Sequence, residues 1–176
     1  MVSDKLLNAL SEQANAEFYS AYLYLAMSAC MEDSALKGTA NWLFVQAKEE
    51  MAHGINIYQY ILDRGAVPAL TAIEQPQTSF ADIEDVYASV LEHEQKVTRL
   101  INSLASLAMQ ENDHACYQFM MWYVNEQVEE ESTASDILSK IRLIGDDKGL
   151  LLALDNELAA RTFNNPFPSN PKLSGV

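Results

Sequence analysis

Between Gln77 and Ile144 the chain contains neither proline nor glycine, and its five prolines, Pro68, Pro76, Pro166, Pro168 and Pro171, fall in two short stretches. Proline removes a backbone donor and glycine loosens a helix interior by about 1 kcal/mol, so confining both permits long uninterrupted helices. Ser3 or Asp4 can cap a first helix running to about Glu32, and the short turn DSAL leads into a second that ends near Arg64 with Gly65 as its C-cap. The stretch from Gly65 to Ser79 holds two prolines and no helical periodicity. A third helix is expected from near Asp82 to around Glu111, where Asn112 and Asp113 break it, and a fourth from there to Gly145. A short fifth, LLLALDNELAARTF, follows the turn GDDKG. Tight connections make neighbouring helices antiparallel, whereas the Gly65 to Ser79 connection is long enough to return along the whole bundle. The expected fold is all-α: a four-helix bundle with one long crossover between helices two and three, plus a short fifth helix. At 176 residues and 49% hydrophobic, the chain suits one domain, placed at 1–162. The Pro-rich tail, 163–176, is expected to be extended or disordered and is assigned no chemistry.

Eleven Lys and Arg stand against 25 Asp and Glu, a formal net charge of -14, so cations are more natural partners than nucleic acid. Cys30 and Cys116 are the only cysteines, too few and too far apart for a disulfide framework or a paired-cysteine metal knuckle. The start, MVSDKLLNALSEQ, carries acids and polar residues where a signal peptide needs an apolar run, and no stretch reaches the ~18 apolar residues of a spanning helix. No membrane association is expected, and a reducing, cytoplasmic location is.

Core positions recurring at helical spacing define one stripe per long helix. The first reads Leu10, Ala14, Glu17, Ala21, Tyr24; the second Leu43, Ala47, Glu50, Ile57, Ile61, with His53 one turn beyond the glutamate. The third reads Ile83, Tyr87, Val90, Glu94, Val97, Ile101, Leu104, and the fourth Met120, Tyr123, Gln127, Glu130, Ala134, Ile137, Ile141. Each stripe is interrupted once by a glutamate about 12 to 16 residues from its helix start, roughly 18 to 24 Å along the axis. In helices of similar length that is one level, so Glu17, Glu50, Glu94 and Glu130 are expected to meet in the bundle core.

Four carboxylates in a low-dielectric interior repel one another, and no Lys or Arg occupies those stripes. Metal ions bridging the carboxylates supply the missing charge from outside the chain. His53, three residues after Glu50, shares its helical face, so the two can hold one ion while the glutamate's second oxygen reaches another. Oxygen-rich ligands with a single imidazole suit iron or manganese better than structural zinc. Any one of these glutamates alone reads as a solvated helix face, and His53 alone as a core histidine; four acids at matched depth favour the metal reading. Tyr24 is either core packing or a hydrogen-bond and electron donor beside the metals, and Trp122 reads as a packing residue. The run NEQVEEES adds Glu126, Glu129 and Glu131; with Glu49 it adjoins the same level and suggests an additional metal position.

The segments AEFYSAYLY around Glu17, KEEMAH around Glu50, LEHEQ around Glu94 and WYVNEQVEEE on the fourth helix make the chain resemble a bacterial non-haem ferritin, of the ferritin-like di-iron superfamily, over residues 1 to about 162. The resemblance implies a ferroxidase centre in which Glu17, Glu50 and His53 hold one iron and Glu50, Glu94 and Glu130 a second. It also implies a weaker third iron on Glu49, Glu126, Glu129 and Glu130, with Gln127 and Tyr24 in close support. Members of this family form a hollow shell of twenty-four subunits whose fifth helices line the fourfold axes. They oxidise Fe(II) with dioxygen or hydrogen peroxide and store the Fe(III) as a mineral.

The second half of the site reads Gln127-x-x-Glu130 rather than a repeat of Glu-x-x-His, which favours the asymmetric ferritin site over bacterioferritin or rubrerythrin. Rubrerythrin further needs paired cysteines. Met51 stands where bacterioferritins place a haem-ligating methionine; an interface or core methionine is the favoured reading, and haem is not expected. Tyr117 and Met120 stand where animal ferritins carry an acidic pair, so the resemblance transfers no iron channel there. Two competing readings remain: a metal-stabilised helical scaffold without catalysis, and a DNA-protecting mini-ferritin, which the fifth helix and the absence of a basic tail disfavour.

Overall fold

A computed structural model of the chain describes residues 2–170, 172 and 173. Five helices follow one another: α1 (Asp4–Asp33), α2 (Lys37–Asp63), α3 (Ile83–Gln110), α4 (His114–Ile144) and α5 (Lys148–Leu158), and there is no strand among the described residues. α1 packs against α2 and α3 against α4, while the connection from 64 to 82 carries the chain from one pair to the other. The expected all-α bundle with one long crossover and a short fifth helix is the fold observed.

Local chemistry accounts for the helix ends. Ser3 Oγ accepts from Leu6 N at 3.2 Å, Asp82 from Asp85 N at 2.9 Å, and Asp113 from Cys116 N at 2.9 Å, so three of the four long helices start on their own side-chain caps. The first three helices end alike: the amide beyond the cap donates to the carbonyl three residues back and the next amide to the carbonyl five residues back, at Ala35 and Leu36, Gly65 and Ala66, Asn112 and Asp113. The turning residue is left-handed in each, with φ of 61° at Ala35, 76° at Gly65 and 55° at Asn112. Gly65 is therefore the residue beyond the cap, which is Arg64 itself.

α2 alone among the long helices lacks a side-chain cap of its own. Asp155 of α5 supplies it, accepting from Gly38 N at 3.0 Å and from Thr39 N and Thr39 Oγ1 at 2.7 and 2.8 Å. The approach is close enough that a Cβ on Gly38 would lie 1.7 Å from the Asp155 carbonyl oxygen. This clamp fixes α5 across the start of α2. The crossover is also tied down: Ala69 and Thr71 hydrogen-bond the α1 side chains Ser11 and Asn15.

α5 ends at Leu158, five residues short of the expected Phe163. Asn41 Nδ2 donates to the carbonyl oxygens of Ala159 and Arg161, and the Arg161 side chain turns towards α2, which ends the helix there. The tail beyond it has no helix among its described residues, but it lies on the bundle rather than apart from it. Phe167 packs 4.4 Å from Trp122 between ring centroids, Asn170 donates to Asn56, and Leu173 is buried. Pro171 and Ser174 to Val176, which the expectation for the tail also covers, lie outside the described residues.

The apolar interior is split in two. One cluster holds Tyr24, Met27, Leu43, Ala47, Val90, Ala134 and Ile137; the other holds Leu10, Ala14, Ile57, Val97, Met120 and Tyr123. On every long helix the division between them falls at the glutamate of its stripe, so a layer of buried polar side chains crosses the bundle at mid-height.

Candidate metal centre

Glu17, Glu50, His53, Glu94, Gln127 and Glu130 are all buried in this layer, and among the described residues no Lys or Arg is. Glu17, Glu50 and His53 each offer a ligand atom within 4.8 Å of the others. His53 Nδ1 faces Glu50 Oε2 at 3.5 Å, whereas Nε2 is buried with no hydrogen-bond partner. Trp122, Tyr123 and Phe167 flank the imidazole edge-on at 5.4 to 6.0 Å between centroids. Tyr123 donates to the His53 carbonyl oxygen at 3.1 Å.

Two glutamines that the sequence reading passed over arrange the acids. Gln13 Nε2 donates to Glu17 at 2.8 Å, and Gln46 Nε2 donates to both Glu50 at 2.8 Å and Glu130 at 2.9 Å, linking α2 to α4. Each stands four residues before its glutamate on the same helix face, which was the available signal. Glu94 takes the Tyr24 hydroxyl on one oxygen and Gln127 Nε2 on the other at 3.1 Å, so both expected supporting residues bear on Glu94.

Without a metal, the layer is held near neutrality by protons. Burial, then repulsion from Glu50, raises Glu17 to about 8, and the same two causes raise Glu130 to about 7. Burial, then Glu50 and Glu130, hold Glu94 well above the usual range. Burial opposes ionisation of Glu50 too, yet the hydrogen bond and charge of His53 hold it below its ordinary value. Burial alone would lower His53; Glu50, with Glu17 and Glu130 behind it, pushes it up to about 10. Near neutral pH the metal-free arrangement is one ion pair, Glu50 with His53, beside protonated Glu17 and Glu94, with Glu130 close to its midpoint. A cation entering the layer meets ligands that ionise as it binds.

The outer acids are not drawn into that group. Glu49 pairs with Arg161, Glu126 is half-buried, and Glu129 is exposed. Met51 is exposed and, with Leu25, Phe44 and Ile55, lines an apolar groove that Leu173 enters.

The ferritin-like domain family matches residues 7–144. The chain belongs to this family. A bacterial non-haem ferritin of Staphylococcus saprophyticus is 43% identical over 164 residues, covering 93% of this chain and 98% of that one, and one of Staphylococcus aureus is 41% identical over the same length. Among solved structures, an open-pore ferritin from the hyperthermophilic archaeon Archaeoglobus fulgidus superposes with a TM-score of 0.91 at 46% identity, over 92% of this chain and 100% of that one. A form of that ferritin engineered to be closed gives 0.92 at 45%. The sequence likeness and the fold thus agree with the bacterial non-haem ferritin resemblance drawn from the four acid-bearing segments. No helix among the described residues is long and apolar enough to cross a membrane.

Proposed function

We propose that the chain is an iron-storage ferritin whose acid layer is a ferroxidase centre, with Fe(II) as substrate. Glu17, Glu50 and His53 hold one iron; Glu50 bridges to a second held with Glu94 and Glu130. The observation that carries this reading is the buried group Glu17, Glu50 and His53, with ligand atoms within 4.8 Å of one another in a layer that no buried Lys or Arg neutralises. Each Fe(II) gives up one electron, and dioxygen with two protons becomes hydrogen peroxide, the irons leaving as Fe(III). Two adjacent irons suit this two-electron step, and carboxylates release the product where thiolates would retain it. Tyr24 and Gln127 orient Glu94, while Gln46 holds Glu50 and Glu130 at matching height. Hydrogen peroxide is an alternative oxidant.

Glu49, Glu126, Glu129 and Glu130 form a weaker third position on the side of the layer towards the tail. The chains assemble into a hollow shell, of twenty-four by resemblance, in which Fe(III) mineral collects. Exposed Tyr22, Leu25, Phe44 and Met51 on α1 and α2, and Leu150 and Leu152 on α5, supply apolar surface for such contacts. No haem is assigned to Met51, no nucleic acid is a partner, and the setting is cytoplasmic.

The deciding experiment is oxygen uptake after adding two Fe(II) per chain to metal-free protein. Glu50→Ala removes the bridging carboxylate and is expected to reduce the initial rate by about 100-fold or more, at least the ~3 kcal/mol scale of a lost electrostatic contact in the reacting site. Uptake by the original chain no faster than that of iron in buffer overturns the reading.

A further inference from the structure

Arg161 lies just beyond α5 and reaches back over α2. Its guanidinium pairs with Glu49, lies 4.2 Å from the centroid of the Trp42 ring, and places Nη1 3.5 Å from the Trp42 carbonyl oxygen. Its own carbonyl oxygen accepts from Asn41 Nδ2 at 3.0 Å, so the backbone as well as the side chain is held to α2. The two charged side chains are only 22% and 18% exposed, unlike the solvated pair Lys140 and Glu157 at 51% and 63%. A surface pair of the latter kind contributes almost nothing; a shielded guanidinium stacked on an indole is a fixed charge.

That fixed charge stands on one ligand of the third metal position. We propose that Arg161 is an internal competitor for that position: it occupies Glu49 as a cation, keeps the third site weaker than the buried pair, and must be displaced when a metal ion binds there. The inference rests on the ferroxidase reading, which places Glu49 beside Glu126, Glu129 and Glu130 as metal ligands. Arg161 is a specificity-determining residue acting through Glu49, with no part in the oxidation step itself. Its position follows from the early end of α5: were the helix to continue, the side chain would not be turned to α2. Competition is reciprocal, so a cation at Glu49 loosens the segment that Arg161 ties down.

Zn(II), which undergoes no redox step, separates binding from activity. Metal-free protein titrated calorimetrically with Zn(II) at fixed salt is expected to show two tight steps and a third, weaker one. In Arg161→Gln the third step tightens by about tenfold, the scale of one screened unit charge a few ångströms from a partly buried ligand. Arg161→Lys keeps a cation there and stays within about twofold of the original. Arg161→Gln combined with Glu49→Gln loses the third step while the first two persist. A third step of equal strength in the original and Arg161→Gln overturns the proposal and leaves Arg161 a mere staple. Absence of any third step, with the first two intact, overturns it by removing Glu49 from the metal ligands. Absence of the two tight steps in the original chain instead brings down the ferroxidase reading. Should Arg161→Gln fail to fold, Arg161→Met, which keeps a long side chain against the Trp42 ring but removes the charge, is expected to tighten the third step by about tenfold, and no change there overturns the proposal.

Discussion

His53 and Glu17 each carry a proton in the folded, metal-free chain that they would release when unfolded at the same pH. Folding raises Glu17 from 4.5 to about 8 and His53 from 6.5 to about 10. The folded state therefore binds more protons than the unfolded one, so the stability from Glu17 is complete below about pH 4.5 and lost as pH rises through 8, and that from His53 is complete below 6.5 and lost towards 10. Glu50 acts oppositely, since its lowered value adds stability above its unfolded value, but that gain is complete by about pH 5. The melting midpoint of metal-free protein is expected to fall by roughly 5 °C or more between pH 5.5 and 8.5. Loading with Zn(II) should abolish or reverse the trend, because the ion takes the place of the protons. Scanning calorimetry at several pH values checks this; a flat metal-free profile would mean that the buried acids are not protonated. The four principal acids were legible because each broke an apolar stripe, and His53 because it stands one turn beyond Glu50. Gln13 and Gln46 were not, because a buried amide breaks a stripe less visibly than a charge and its partner stands on the same face.

Helix ends show where local rules suffice and where they do not. Three of the long helices start at capping residues visible in the sequence, and Gly65 and Asn112 are residue types that tolerate a left-handed turn. Ala35 is not, yet it adopts the same conformation with φ of 61° in the turn from α1 to α2. Replacing Ala35 with glycine relieves that strain at some cost in unfolded-chain entropy, and is expected to stabilise the chain by about 0.5–1 kcal/mol, read as a higher melting midpoint at unchanged helix content. Substitution by valine should act in the opposite direction. The features that sequence did not reveal depend on distant partners: α2 starts directly after the turn DSAL as expected, but its cap is a carboxylate from α5, and α5 stops early where Asn41 takes its carbonyl groups. No window of neighbouring residues contains those contacts. The tail was illegible for the same reason, since Phe167 and Leu173 are isolated apolar residues whose packing partners lie on α1, α2 and α4.

Across the whole molecule, the two apolar clusters above and below the acid layer are each built from helix-to-helix packing of apolar side chains alone. Chelation is therefore expected to leave helix content by circular dichroism within about 10% of its starting value and to lower the melting midpoint without unfolding the chain, since metal binding adds only its own linkage. Unfolding on chelation at room temperature would favour the metal-stabilised scaffold over the ferroxidase. Glu17, Glu50 and His53 all lie within the pair α1 and α2, whereas Glu94 and Glu130 come from α3 and α4. The first pair is joined by a short turn and the second lies beyond the crossover, so a polypeptide leaving the ribosome can bring Glu17, Glu50 and His53 together from adjacent helices before Glu94 and Glu130 have been synthesised. What is one layer in space is thus two events in time, and Glu50, the proposed bridge, belongs to the earlier.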